Sequence, residues 1–298
     1  MANLKEIKNR INSVKDTQKI TNAMYLIASA KMRRAKQNLD STKPYFDSVK
    51  TEIKRVFKTA PDIESPYFYP MNGDHILPGA YAYLIITADK GLAGAYNHNV
   101  IKESERLMKN HRDNKIYVVG EFGRHYFEAK GVQIEQSFLY SAQNPTMHNA
   151  RKISSSLLES FLSGEFRKLF IIYTDYGNGI NSSVASTRLL PFHRDNFIKD
   201  NEEKEEEFEF YPNELKVLEN VMPSYITGFI YSALVDSFCC EQSARMNAMD
   251  SANDNAQELI DELVKKYNHL RQTAVTREIT EISAGARSLK NQRRLNDI

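Results

Sequence analysis

One segment of the chain combines glycines with an acid in the manner of a ligand-binding turn. In ITADKGLAGAYNHN (86–99), Asp89 directly follows a predicted strand, where α/β folds place functional residues. Gly91 and Gly94 would let the backbone approach a phosphate. Their spacing fits neither a dinucleotide fingerprint nor a P-loop, and no Lys-Ser/Thr pair follows. The segment is therefore either a phosphate site or a tight strand-to-helix turn that packs against another element or subunit.

The other reactive residue types form no catalytic or metal-binding pattern. The seven histidines are scattered without HExxH spacing, and no GxSxG motif occurs. Cys239 and Cys240 are adjacent on a predicted helix, so we expect at least one of them to be a small core residue. Glu278 and Glu281 are ordinary helix charges. The sequence predicts no catalytic residue, no cofactor site and no metal ligand.

Composition sets limits on the class of protein. The 298 residues are 41% hydrophobic and 26% charged, which is ordinary for a globular protein of about two domains. No apolar run is long enough for a transmembrane helix, and the N-terminus has neither signal-peptide nor transit-peptide character. Two adjacent cysteines cannot form a disulfide framework, which fits a reducing cytosol.

Glycine and proline divide the sequence into three parts, because both residues disfavour helix interiors. Residues 1–60 contain one proline and no glycine, whereas residues 61–212 contain seven of the nine prolines and ten of the twelve glycines. Residues 213–298 contain only three such residues. This distribution predicts an N-terminal helix (1–60), a central domain (61–212) and a C-terminal helix with a basic tail (213–298).

Both ends have the periodicity of paired helices. Apolar or small residues step by three and four along the N-terminal segment, with Gln18 as the polar exception. The C-terminal segment has a similar stripe, including Leu259, Leu263 and Tyr267. Neither helix can bury its stripe alone, so we predict an antiparallel coiled coil of the two ends. Pro44 is expected to kink the first helix.

The central part alternates strand-like and helix-like segments. Four strands are predicted, at 81–88, 115–120, 168–174 and 183–192, with helices at 97–110 and 150–166. This order indicates a mostly parallel, Rossmann-like α/β sheet. The acidic stretch 200–210 is interpreted as a solvated loop rather than a cation site.

Charge is concentrated at the N-terminus. Residues 1–58 contain 14 Lys and Arg against 5 Asp and Glu, and Lys31, Arg33, Arg34 and Lys36 lie within two turns. Such a helix can be a solvated flank, or it can bind an acidic protein, nucleic acid or an anionic membrane. Its aromatic residues lie on or beside the seam, which favours packing over base stacking.

Four segments give a more specific identification. They are IKNRINSVKDTQKITNAMYLIASAKMRRAK (7–36), DKGLAGAYNHNV (89–100), FYPNELKVLENVMPSYI (210–226) and EQSARMNAMDSANDNAQELIDELVKKYNHLRQTAVTREITEISAGA (241–286). Together they resemble the gamma subunit of rotary F-type ATP synthases over nearly the whole chain. Tyr25, Ala93, Ala95 and Tyr96 depart from that family's usual pattern, and the tail after Ala286 is longer.

The resemblance implies a non-catalytic central rotor stalk that couples ion flow through the membrane c-ring to ATP synthesis or hydrolysis in the alpha/beta ring. It implies alpha, beta and epsilon subunits and the c-ring as partners, no nucleic acid, no cofactor, and a peripheral position on the cytoplasmic side of a bacterial cell membrane. The rotor–stator contacts that it implies are Met24, Lys31, Arg33, Arg34, Arg245, Arg271, Gln272 and Thr276.

Two other functions are compatible with the same pattern. The first is an α/β nucleotide-binding protein with a helical dimerisation arm, which would bind ATP or a dinucleotide on its own. The second is a basic coiled-coil protein that binds nucleic acid or anionic membranes, and it would be retained on them without partners.

Overall fold

A computed structural model describes residues 2–70, 78–139, 142–177, 182–194, 197 and 209–296. Contacts group the chain into a paired-helix unit (Met1–Ile27 with Asn247–Ile298) and a sheet unit (Ala28–Met246). Most of the acidic stretch interpreted as a solvated loop, residues 200–208, lies outside the described residues.

Two long helices account for the chain ends. Helix α1 spans Ala2–Thr59 and the last helix, α5, spans Glu214–Asn296. Each contains one proline, Pro44 in α1 and Pro223 in α5, and each is assigned as one uninterrupted element. No described helix carries an apolar stretch long enough to cross a bilayer.

The central elements follow in the order β1 (Tyr81–Ile86), α2 (Tyr96–Met108), β2 (Asn114–Val119), α3 (Glu121–Ala129), β3 (Gln136–Phe138), α4 (Met147–Leu162), β4 (Lys168–Asp175) and β5 (Ser183–Leu190). The sheet order is β3-β2-β1-β4-β5, with β5 antiparallel to β4 and all other pairs parallel. The predicted α/β class with long terminal helices is confirmed. Helix α3 and strand β3 were absent from the sequence prediction.

Helices cover both faces of the sheet, which explains why all six residues of β1 are buried. Alternate β1 residues Ala82, Leu84 and Ile86 join the core formed with α1, α4 and α5. Tyr83 and Ile85 point to the opposite face, toward α2 and α3. The strand is therefore apolar at every position, as the sequence YAYLII shows.

Within the sheet unit, α1 and α5 run antiparallel. The Cys239 thiol lies 4.0 Å from the Met32 carbonyl oxygen, and Gly228 lies against the Phe46 ring. A Cβ at Gly228 would come within 2.1 Å of that ring, so the close approach requires glycine. Ile53 and Val56 of α1 and Leu218 and Met222 of α5 are buried in the same core.

Candidate functional site

The paired-helix unit contains an antiparallel seam of its own. Ile7, Ile11 and Leu263 form its buried centre, and Val14, Leu259, Tyr267 and Leu270 are partly buried around them. This pairing confirms that the stripes recognised at the two ends of the sequence meet each other. Each helix thereby removes from water an apolar face that it could not bury alone.

The polar residues of the seam bond across it. Gln18 Nε2 donates to the Asn253 carbonyl oxygen and to Gln257 Oε1, at 3.4 Å each. The Thr21 hydroxyl donates to Asn253 Oδ1. A shift of one helix along the other would leave these half-buried groups unpaired, so the seam has one favoured register.

Met24 lies beside this polar segment in an apolar surface. Its side chain is half-buried, while Ile20 and Ile27, about one turn before and after it on the same face of α1, are 61% and 56% exposed. Large apolar side chains close together on a surface are typical of a contact with another protein. Arg271, Gln272 and Thr276 also belong to the paired-helix unit and are exposed on α5.

The basic residues of α1 lie in the sheet unit and point outward. Lys31, Arg33 and Arg34 are exposed, whereas Ala35 on the same turns is buried in the core. Neither guanidinium group has an ion-pair partner within the described residues. Their charges are therefore available to a partner molecule.

Arg245 differs from the other predicted contact residues because its side chain is only 12% exposed. It forms an ion pair with the buried Glu241 one turn earlier on α5. It also donates from Nη2 to the Gly91 carbonyl oxygen at 3.0 Å. Arg245 thus fixes the 89–95 turn to α5, and the turn packs against another element as one of our two interpretations predicted.

The carboxyl edge of the sheet is where an open α/β fold of this order binds ligands, between β1 and β4. Here α5 fills that crevice. The Ser237 hydroxyl accepts a hydrogen bond from the Thr174 amide at 3.2 Å, and Cys240 packs with Ala93 and Tyr96. A nucleotide would have to displace these side chains.

Several acids meet at this edge, where α5 faces the strand ends. Burial raises the pKa of Glu241, an effect that Arg245 opposes. Burial, reinforced by the nearby Asp175 carboxylate, raises the pKa of Asp236 to about 6. Asp89 accepts a hydrogen bond from the Glu121 amide at 3.0 Å through Oδ1, while its buried Oδ2 has no partner among the described residues. Burial thus disfavours the negative charge of Glu241 and of Asp236.

The two cysteines are buried and free, in accord with the expectation of core residues. Burial raises the pKa of Cys239 to about 11 and that of Cys240 to about 12, so both are thiols at neutral pH. No group of three or more His, Cys, Asp or Glu able to hold a metal ion occurs in the described part of the chain.

Sequence reasoning missed Glu241 and Asp236 as buried groups. The sequence contains one indication for Glu241: it lies four residues before Arg245, a spacing that allows an ion pair along one helix face. Asp236 had none, because its burial depends on the docking of α5 against the end of β4. The packing of α5 on the sheet could not be inferred from helix periodicity alone.

Comparison with known proteins agrees with this architecture. A family model described as ATP synthase matches residues 3–289. The chain is 41% identical over 292 residues to the ATP synthase gamma chain of Caldanaerobacter subterraneus, covering 95% of this chain and 98% of that one. It is 33% identical to the sodium ion specific ATP synthase gamma chain of Acetobacterium woodii, covering 96% and 99%.

Solved structures share the fold. A chain of the Euglena gracilis mitochondrial ATP synthase, from a structure of OSCP, F1 and the c-ring, matches with a TM-score of 0.65 at 13% identity, over 97% of this chain and 95% of that one. A chain of the Tetrahymena thermophila central stalk and c-ring matches with a TM-score of 0.59 at 23% identity, over 78% and 99%. The chain thus shares its fold with these two ATP synthase chains. On the sequence matches, the chain belongs to the ATP synthase gamma chain family.

Proposed function

We propose that this chain is the central rotor stalk of an F-type ATP synthase. It couples ion flow through a membrane c-ring to ATP synthesis or hydrolysis in a ring of alpha and beta subunits. The observation that carries the proposal is the antiparallel seam of the two chain ends, with cross-helix bonds from Gln18 and Thr21 that hold one register. A shaft that transmits rotation needs such a register, because helices that slide past each other would dissipate the torque.

The stalk itself is non-catalytic in this proposal. The filled crevice at the carboxyl edge of the sheet supports that view, because α5 occupies the position where related folds bind nucleotides. Coupling then follows from linkage. Nucleotide occupancy changes the shape of a surrounding subunit, each shape favours one rotor angle, and a forced rotation must in return change occupancy.

The contact residues inferred from the sequence become parts of this proposal. Met24 and its exposed apolar neighbours form one contact with the beta subunits, and Lys31, Arg33 and Arg34 form a separate contact with acidic parts of those subunits. Exposed, unpaired cations attract such surfaces over about a Debye length without requiring one fixed geometry. This property suits a surface that moves past successive subunits.

The remaining contacts have separate roles. Arg271, Gln272 and Thr276 are exposed on α5 and meet the surrounding ring near the tip. Arg245 acts by holding the Gly91 turn in place, given its bond to that carbonyl oxygen and its pairing with Glu241. A partner subunit that binds here would then contact both the 89–95 turn and the Arg245 guanidinium group.

The wider assembly follows the same assignment. We assign residues 1–60 and 213–298 to the shaft of the stalk. Residues 61–212, the central α/β domain, form its foot. The foot contacts the epsilon subunit and the c-ring, and the complex holds the chain on the cytoplasmic side of a bacterial cell membrane.

The experiment that tests the proposed function is co-purification of the tagged chain from its own cells. Recovery of alpha and beta subunits supports the assignment, and their absence under gentle extraction refutes it.

A substitution tests the coupling surface. Met24→Lys introduces a charge into an apolar contact, so it should lower the number of ions pumped per ATP hydrolysed in reconstituted vesicles. Met24→Leu is the matched control and should retain coupling, because it conserves volume and polarity. Unchanged pumping per ATP in the Met24→Lys complex would contradict the proposed role of this surface.

The nucleotide-binding alternative has its own test. The isolated chain should show no saturable binding of ATP, because Ser237 and Cys240 occupy the crevice. Calorimetric titration of the purified chain measures this directly. Micromolar affinity would favour the α/β nucleotide-binding protein with a helical dimerisation arm.

A further inference from the structure

A cavity of about 620 Å³ lies in the sheet unit, at the edge opposite the crevice filled by α5. Its lining comes from the loop before β1, the end of α4, the start of β4 and the segment after β5. The volume is within the range of small-molecule sites, roughly 300–1,000 Å³. Neither the predicted contact surface nor the seam uses this cavity.

Two guanidinium groups line the cavity without acidic partners. Arg167 is exposed and forms no side-chain hydrogen bond or ion pair within the described residues. Arg194 is half-buried and donates from Nη2 to the Ile63 carbonyl oxygen at 2.8 Å. Its buried Nε has no hydrogen-bond partner among the described residues. Guanidinium groups with unused N–H donors are the side chains best suited to bind oxyanions such as phosphate.

The backbone holds Arg167 at this position. Its amide donates to the Ala80 carbonyl oxygen at 2.8 Å, which fixes the start of β4 beside β1. Gly79 has φ +136°, and a Cβ there would lie 2.7 Å from the Arg167 Cγ. Glycine at position 79 therefore allows the aliphatic part of the Arg167 side chain to pack against the backbone. The fold thus fixes the position of the Arg167 guanidinium group.

The rest of the lining is mostly apolar. Phe68, Tyr69 and Phe166 are 4%, 4% and 1% exposed and form part of the wall with several prolines. Glu64 also lines the cavity but is itself exposed. An anion with a small uncharged or apolar body would fit this combination better than a bare ion.

We propose that this cavity binds a phosphate ester through Arg167 and Arg194. The ligand chemistry is a single phosphate group carrying a small, glycerol-sized organic portion that packs on the aromatic wall, and not a nucleoside triphosphate. Two sources supply such chemistry, a free organic phosphate and the headgroup of an anionic phospholipid. Planar guanidinium groups bind both in the same way, by paired N–H donors to phosphate oxygens.

The test titrates the full chain with two probes. Glycerol 3-phosphate, followed by calorimetry, represents the free ester, and vesicles of phosphatidylglycerol mixed with phosphatidylcholine, followed by co-sedimentation, represent the headgroup. Saturable binding in either arm that is weakened in the Arg167 and Arg194 variants described below supports the proposal, and the arm in which it occurs identifies the source. Vesicles of phosphatidylcholine alone should not bind the chain.

Variants separate the site from general charge attraction. Arg167→Gln and Arg194→Gln should each weaken binding by about tenfold, the loss expected for one charged hydrogen-bond partner. Arg112→Gln is the matched control, because Arg112 is exposed and does not line the cavity. It should retain the wild-type affinity. Absence of saturable binding in both arms, or an equal loss in the Arg112→Gln chain, would overturn the proposal.

Discussion

Replacing Asp236 by asparagine should stabilise the sheet unit at neutral pH. Asp236 lies on α5 near Asp175 at the end of β4, and Cys239 and Cys240 are close by. Burial and the Asp175 carboxylate raise its pKa from 3.8 to about 6. The folded chain therefore holds a carboxylate at pH 7 in surroundings that disfavour its charge. Asparagine keeps the shape of the side chain and removes the charge.

The size of the effect follows from the shift. About two pKa units at about 1.4 kcal/mol each give about 3 kcal/mol as an upper estimate. Between pH 3.8 and about 6 the folded chain binds more protons at this site than the unfolded chain does. Stability of the wild type therefore falls as pH rises through that window, and it remains lower above it. The Asp236→Asn chain does not lose stability in this way. Its free energy of unfolding should therefore exceed that of the wild type by an amount that grows from near zero in acid to a maximum at neutral pH.

Urea unfolding at a series of pH values measures the difference. Near-ultraviolet circular dichroism is a suitable probe, because all of the 16 tyrosines except Tyr25 and Tyr267 belong to the sheet unit. Asp175→Asn is the informative second variant. Since burial contributes more than Asp175 to the raised pKa, this change should recover less stability than Asp236→Asn. Equal stability of wild type and Asp236→Asn at pH 7, or a difference that shrinks with rising pH, would refute the reasoning.

Two further predictions concern packing and register. Gly228→Ala should destabilise the sheet unit by about 1–3 kcal/mol in urea unfolding, since its Cβ would meet the Phe46 ring, although alanine in a helix ordinarily gains about 1 kcal/mol. Gly285→Ala, whose Cβ would meet nothing within 4 Å, is the control and should cause no loss. Thr21→Val with Asn253→Ala in a double-mutant cycle should give a coupling of about 0.5–1.5 kcal/mol, and additive effects would show that their hydrogen bond does not stabilise the seam.

The sequence predicted the elements better than their packing. Four strands and the two long helices were recognisable, because β-branched residues are concentrated in segments such as KLFIIYT and breakers are nearly absent from the ends. Helix α3 was missed because it has nine residues, a glycine at position 123 and too few turns to establish a period. The strand β3 has three residues, of which only Phe138 is buried.

The candidate site was predictable only where it depends on local pattern. The basic cluster of Lys31, Arg33 and Arg34 was recognisable in the sequence, and these residues are exposed, while their role as contacts rests on the family resemblance and stays a prediction. The internal bonds of Arg245 were not recognisable, because the Gly91 carbonyl oxygen is 154 residues away in the chain. The acids at the carboxyl edge were missed for the same reason, since their burial arises from long-range docking.

The docking of α5 on the sheet suggests why charged groups are retained there. A purely apolar contact at the carboxyl edge would bury the helix at lower cost, because Glu241 and Asp236 both lose hydration. It would also allow the helix to shift by a turn with little penalty. The Arg245 bond to the Gly91 carbonyl oxygen joins α5 to the turn after β1, and the Ser237 bond to the Thr174 amide joins α5 to the end of β4. Both bonds can form at only one position of the helix along the sheet. We infer that stability is sacrificed here for a single docking register, as it is at Gln18 and Thr21 in the paired-helix unit.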